Sequence, residues 1–289
     1  MAYEWWMDSG QRRIIGGRFS WSEGMTVRKL IIGVGTLVVC MGAYAQTPAV
    51  TSGGISNAAN GLTPVSPGAL VSIYGTNLAA GLAQADTIPL STTLNGVSVT
   101  FNGIQAPLLF VSGGQINAQL PWNVLSSGLT GTANVVVTRN GTPSAPQSFQ
   151  VGPFSPGIFA INNIAVAINP DGSIAAAAGA IPGINTRPAK IGDAGGLVIL
   201  CTGLGAVNPA GVTGAASLDA LRTATTTPTV LIGGKAAQVV FAGLSPQFVG
   251  VNQINVAIPA GTPTGNAVPI QISLGSVTTS DSITIAVSN

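Results

Sequence analysis

From Val97 to Phe101 the chain alternates strictly: Val97, Val99 and Phe101 are apolar, Ser98 and Thr100 polar. The same alternation recurs at Ile270, Ile272 and Leu274 around Gln271 and Ser273, and at Ile283 and Ile285 around Thr284. A period of two puts one set of side chains in a core and the other toward solvent, which predicts half-buried β-strands. No stretch carries an apolar stripe at the helical period; residues 219–222 (Asp-Ala-Leu-Arg) offer a single helical turn at most. Turn residues sit between the apolar runs. Asn102-Gly103 and Gly233-Gly234 predict two-residue hairpins, and Asn169-Pro-Asp-Gly172 predicts a further hairpin turn. Several short strands at close spacing indicate a β-sandwich or barrel.

These landmarks occur twice. Gly68-Ala-Leu-Val-Ser-Ile-Tyr-Gly75 matches Gly196-Leu-Val-Ile-Leu-Cys-Thr-Gly203, each an apolar strand ending in a glycine turn. The hairpin at Asn102-Gly103 matches the one at Gly233-Gly234. Gln115-Ile-Asn-Ala-Gln-Leu-Pro121 matches Gln253-Ile-Asn-Val-Ala-Ile-Pro259, and the strand after Ala133 matches the one after Val268. The offset is 128 at Gly75/Gly203, 138 at Gln115/Gln253 and 134 at Gly141/Gly275. So long a period means whole domains rather than a solenoid. The expected organisation is an extension and leader at 1–45, a linker at 46–62, a first sandwich at 63–153 and a second at 154–289. Val151-Gly-Pro-Phe-Ser-Pro-Gly-Ile-Phe159 breaks the strand pattern at the join, and Phe154 and Phe159 are expected to pack there or in the second core.

Taken in order, several segments carry a family resemblance: Ser66-Pro-Gly-Ala-Leu-Val-Ser-Ile-Tyr-Gly-Thr-Asn-Leu-Ala79, Asn102-Gly-Ile-Gln-Ala-Pro107, Gln115-Ile-Asn-Ala-Gln-Leu-Pro-Trp122, Pro156-Gly-Ile-Phe159, Asn169-Pro-Asp-Gly172, Thr202-Gly-Leu-Gly205 and Gln253-Ile-Asn255. Over about residues 62–289 the chain resembles the uncharacterised C-terminal domain of exported proteins from Solibacter-type acidobacteria, itself similar to immunoglobulin-like IPT/TIG modules. The resemblance implies an all-β fold of two tandem immunoglobulin-like sandwiches after a signal peptide. It carries no established activity and no functional residues.

Composition supports strands and turns. Only 6% of residues are charged, while 39 are Gly and 19 Pro, a mixture unsuited to long helices. The ten bases and eight acids are unevenly spread. From Gln46 onward, five bases (Arg139, Arg187, Lys190, Arg222, Lys235) meet five acids (Asp86, Asp171, Asp193, Asp219, Asp281). The basic balance therefore belongs to the leader, and the scattered bases speak against nucleic-acid binding. The leader begins at Met25: Arg28-Lys29, an apolar run from Leu30 to Met41, then Ala43-Tyr-Ala45. This is the layout of a cleaved signal peptide, too short for a membrane span. It places the protein outside the cytoplasm with no transmembrane span in the mature form, and Met25 is the expected start. Cys40 lacks the preceding small residue of a lipidation site.

The chain has no His, so Ser-His-Asp, Cys-His and His-based zinc chemistry are excluded. Cys201, in the apolar run Leu197-Val-Ile-Leu-Cys201, reads as a buried small hydrophobe. Thr202-Gly-Leu-Gly205 lacks the third glycine and following helix of a dinucleotide fingerprint. Asn169, Asp171 and Ser173 alternate like calcium ligands but bring one carboxylate, so no metal and no cofactor is expected. Paired polar residues remain: Gln115 with Asn117, and Gln253 with Asn255. With Trp122, the one Trp beyond the leader, they are the candidate ligand-binding residues, against the plainer reading that they brace loops and pack an interface. The preferred function is an exported, non-enzymatic binding or structural module, acting in cell-surface adhesion or assembly, with a cell-surface protein or polysaccharide as partner. A carbohydrate-binding module using Trp122 and a hydrolase using carboxylates are the alternatives.

Overall fold

The computed structural model describes residues 47–193, 195–280 and 282–289. The leader read at 1–45, with Cys40 and the Met25 start, lies outside the described residues. The fold is all-β and immunoglobulin-like, and among the described residues no helix is long and apolar enough to cross a membrane.

Thirteen main strands carry it: β1 (Ala49–Asn57), β2 (Leu70–Thr76), β3 (Val97–Phe101), β4 (Leu108–Val111), β5 (Gln115–Gln119), β6 (Gly131–Arg139), β7 (Gln147–Val151), β8 (Leu197–Thr202), β9 (Thr229–Ile232), β10 (Lys235–Leu244), β11 (Asn252–Ala257), β12 (Gly265–Leu274) and β13 (Thr284–Ser288). In the first lobe, β1-β2-β5-β4 form one layer and β7-β6-β3 the other. Their inward residues, among them Val71, Ile73, Val99, Phe101, Ile116 and Val135, make one hydrophobic core. Phe101 meets Phe149 edge-to-face there, ring centroids 5.5 Å apart, the arrangement favoured by the aromatic quadrupole.

A second core holds Ile158, Ile199, Cys201, Ile254, Ile270 and Ile285, with Phe154 packed against it. Its layers join because β10 pairs with β9 through its first three residues and with β11 through the rest. The predicted hairpins form. Asn102 and Gly103, like Gly233 and Gly234, both adopt positive φ between paired strands, and Ile168 pairs with Ile174 across the Asn-Pro-Asp-Gly turn.

Three expectations change. Ala49–Asn57 is not linker: it is β1, paired with β2. Its Ser-Gly-Gly centre hides the strand from propensity, and the ladder bulges between Val50 and Ile55. Residues 219–222 form no helical turn: Asp219 and Ala220 lie in a bend, and Leu221 and Arg222 run irregularly into the next strand. Finally, the glycine landmarks mislead the alignment of β2 with β8. Asn117 pairs with Ser72 and Asn255 with Val198. With Asn117 matched to Asn255, Ser72 corresponds to Val198, an offset of 126 rather than 128. A slip of two residues preserves the face each side chain occupies, so the alternation conceals it.

Candidate functional site: the interlobe junction and the glutamine–asparagine pairs

Gln115 and Asn117 stand two apart on β5 and so share a face. The Gln115 amide donates to Asn117 Oδ1 at 2.8 Å, and the Ser72 hydroxyl donates to the same oxygen at 3.1 Å. On β11 the motif repeats: the Gln253 amide donates to Asn255 Oδ1 at 3.2 Å. Each Asn lies opposite a bulge in the neighbouring strand, between Leu108 and Phe110 in β4 and between Val239 and Phe241 in β10. Asn117 is fully buried, whereas Gln115, Gln253 and Asn255 are half-buried. The two pairs belong to different lobes and do not converge on one another. The first, through Ser72, ties β5 to β2; in the second the bond stays within β11.

Trp122 follows β5 at the junction of the lobes. Its indole lies against Gly68 of the first lobe and Gly211 of the second, where a methyl group on either glycine would overlap the ring. Its backbone N–H donates to Thr213 Oγ1 at 3.3 Å. The indole Nε1 is buried and has no hydrogen-bond partner among the described residues.

Around Trp122 a buried polar network joins the lobes. The Gln119 side chain accepts the Gly214 N–H at 2.7 Å and donates to the Gly68 carbonyl at 3.1 Å. The Thr202 hydroxyl accepts the Leu70 N–H at 2.9 Å while donating to the Gly250 carbonyl at 2.7 Å. The Ser66 N–H donates to Ser155 Oγ at 3.0 Å, and the Asn57 amide donates to the Ser155 carbonyl at 2.5 Å. The Leu90 N–H donates to the Gly214 carbonyl at 2.8 Å. Residues 47–289 accordingly form one compact unit. Each of these buried groups costs free energy if left unpaired, so the joint favours a single fit.

The carboxylates serve structure too. Asp171 accepts from the Ser173 hydroxyl and N–H and pairs with Arg187, whose guanidinium also reaches Asp193 at 3.5 Å. The Ser173 hydroxyl, then Arg187, hold Asp171 well below the usual carboxylate range, the reverse of a proton-donating acid. In the Asn169-Pro-Asp-Gly turn, the Asn169 amide is spent as a donor to Ser173 Oγ and the Arg187 carbonyl. Among the described residues no three His, Cys, Asp or Glu side chains group as metal ligands. Burial pushes the Cys201 thiol far above its ordinary value, leaving it un-ionised in the core.

Gln119 and Thr202 were not singled out by sequence; for Gln119 a signal exists. Between the repeated motifs, Gln119 stands where the second copy has Ala257, and Trp122 where it has Ala260. At these two positions the difference between the copies falls on the joint.

Residues 61–151 match the model of the IPT/TIG domain. No curated protein matches the chain. Among solved structures, the full extracellular region of plexin A4 (domains 1 to 10) is 12% identical over 85% of this chain and 16% of its own, with a TM-score of 0.24. A second structure of that region is 13% identical, with a TM-score of 0.24, and there the chain covers 85% of itself and 19% of the plexin. Domains 5-6 of the S-layer protein SbsC are 11% identical over 80% of this chain and 94% of theirs, with a TM-score of 0.25. Residues 61–151 are thus similar to the IPT/TIG domain, in keeping with the immunoglobulin-like fold.

Proposed function

We propose that the protein is an exported, non-catalytic module of two immunoglobulin-like sandwiches, one running from β1 to about residue 153 and one over 154–289, that acts at the cell surface in adhesion or assembly. The observation that carries this reading is the joint itself. Gln119, Trp122 and Thr202, polar or amphipathic groups that an enzyme or a glycan-binding protein would turn toward a ligand, are spent on holding one lobe to the other. Such a body transmits contact or load between its ends without a hinge. A glycan platform needs an open aromatic face, and the seating of Trp122 against Gly68 and Gly211 favours the structural role instead.

The test is to tag the C-terminus in the native host, fractionate the cells and treat intact cells with protease. The tag is expected outside the cytoplasm and accessible, and cells lacking the protein are expected to lose attachment or aggregation. Retention in the cytosol, or unchanged attachment, overturns the proposal.

A further inference from the structure

Four Asn-Gly dipeptides lie in the first lobe, beginning at Asn60, Asn95, Asn102 and Asn140. Three of them turn hairpins of one geometry. Leu94 pairs with Val97, Phe101 with Ile104 and Arg139 with Thr142. In each loop both residues have positive φ: 50° and 73°, 50° and 80°, 48° and 82°. This is the type I′ turn. Dipeptide and backbone are therefore alike three times over, and the asparagine side chains differ in what holds them.

Asn102 is held at both ends of its amide. The nitrogen donates to the Val124 carbonyl at 3.0 Å, and Oδ1 accepts the Asn134 N–H at 2.9 Å. Asn60 likewise donates to the Pro156 carbonyl at 3.1 Å and accepts the Leu62 N–H at 3.0 Å. Asn95 makes one long bond, to the Gly81 carbonyl at 3.4 Å. Asn140 is exposed, and among the described residues its side chain has no hydrogen bond. Its Oδ1 rests over Gly96, in the place a β-carbon would take. Around Gly141 the space is open, with nothing within 4 Å of a β-carbon position.

We propose that Asn140-Gly141 is the site at which this protein deamidates. The main-chain nitrogen of Gly141 attacks Cγ of Asn140. A bond forms between them, the bond from Cγ to the side-chain nitrogen breaks, and that nitrogen leaves as ammonia with the Gly141 proton. Water then opens the cyclic imide. Opening at Cγ gives Asp; opening at the main-chain carbonyl gives isoaspartate, which carries the main chain through the side-chain carbon. Nothing is oxidised or reduced, and water is the other reactant. The ring closes only when the side chain turns until Cγ meets the next nitrogen, a near-attack geometry. The bonds that fix Asn102 and Asn60 oppose that turn, and Asn140 has none to break. The product adds a negative charge to a chain whose bases and acids balance five to five from Gln46 onward. That charge falls beside Arg139, whose guanidinium donates to the Asn77 carbonyl at 3.2 Å. The site is independent of the adhesion-or-assembly reading.

The test is to age the purified full-length protein in mildly alkaline buffer, folded and in guanidinium chloride, and to follow each Asn-Gly peptide by mass spectrometry. In the folded protein Asn140 is expected to convert at least about tenfold faster than Asn102 and Asn60, because two hydrogen bonds must break at each of those before the ring can close. Asn95 should fall between. In the unfolded chain the four rates are expected to converge. Isoelectric focusing should show an acidic form accumulating at the Asn140 rate and running with Asn140→Asp. Asn140→Ser, checked for folding by circular dichroism, should slow its appearance to the rate of the remaining sites. The proposal is overturned if Asn102 or Asn60 converts as fast as Asn140 in the folded protein. It is also overturned if Asn140 keeps its amide while the unfolded chain reacts, or if Asn140→Ser acidifies as fast as wild type.

Discussion

Gly211 of the second lobe lies against the indole of Trp122 in the first, with no room for a β-carbon between them. Gly211→Ala must therefore push the loop or the ring aside. A destabilisation of about 1–3 kcal/mol is expected, the usual cost of overpacking. Urea unfolding followed by circular dichroism measures it. A variant as stable as wild type would show that the loop yields freely.

Among the described residues the indole Nε1–H has no hydrogen-bond partner. Trp122→Phe is expected to cost less than about 1.5 kcal/mol, because apolar replacement of an unpaired group loses little. Trp122→Ala should cost about 3–5 kcal/mol by opening a cavity. Equal losses in the two variants would mean that the Nε1–H does have a partner.

Gln119 is held by its amide at both ends. Gln119→Ala strands the Gly214 N–H and the Gly68 carbonyl, and a loss of about 2–4 kcal/mol is expected. Hydrogen exchange at the Gly214 amide should quicken more than exchange in the core strands. Unaltered protection of Gly214 would refute this assignment.

Two carboxyls make stability depend on acid. Arg222 lowers Asp219 from 3.8 to about 2, and Asp171 is lowered in the same sense by Ser173 and Arg187. Both bind protons more tightly in the unfolded chain than in the folded one. Their contribution is thus complete above about pH 5 and fades as pH falls through the folded values. Both groups are exposed, so the effect is modest and screened by salt. Denaturation midpoints between pH 5 and 2 should fall less steeply in Asp171→Asn/Asp219→Asn than in wild type. Parallel curves would remove these groups as the source.

Sequence reading reached the strands and their hairpins because alternation and Asn-Gly turns are local signals. It located Gln115, Asn117, Gln253 and Asn255 but not the contacts each one makes. β1 escaped because Gly53 and Gly54 interrupt it, and its partner Leu70–Thr76 supplies the ladder that local propensity lacks. The joint was harder still. Gly214 and Gln119 are 95 positions apart, and a loop glycine carries no mark of the amide it will meet. Arg222 read as one of five scattered bases, since only the fold brings Ala210 and Ser217 to its guanidinium.

The differences between the copies also give the pair a direction. One lobe carries Gln119 and Trp122 at its leaving end; the other carries Ala257 and Ala260 at the matching place. The connection is thus a plug and socket present in one sense only.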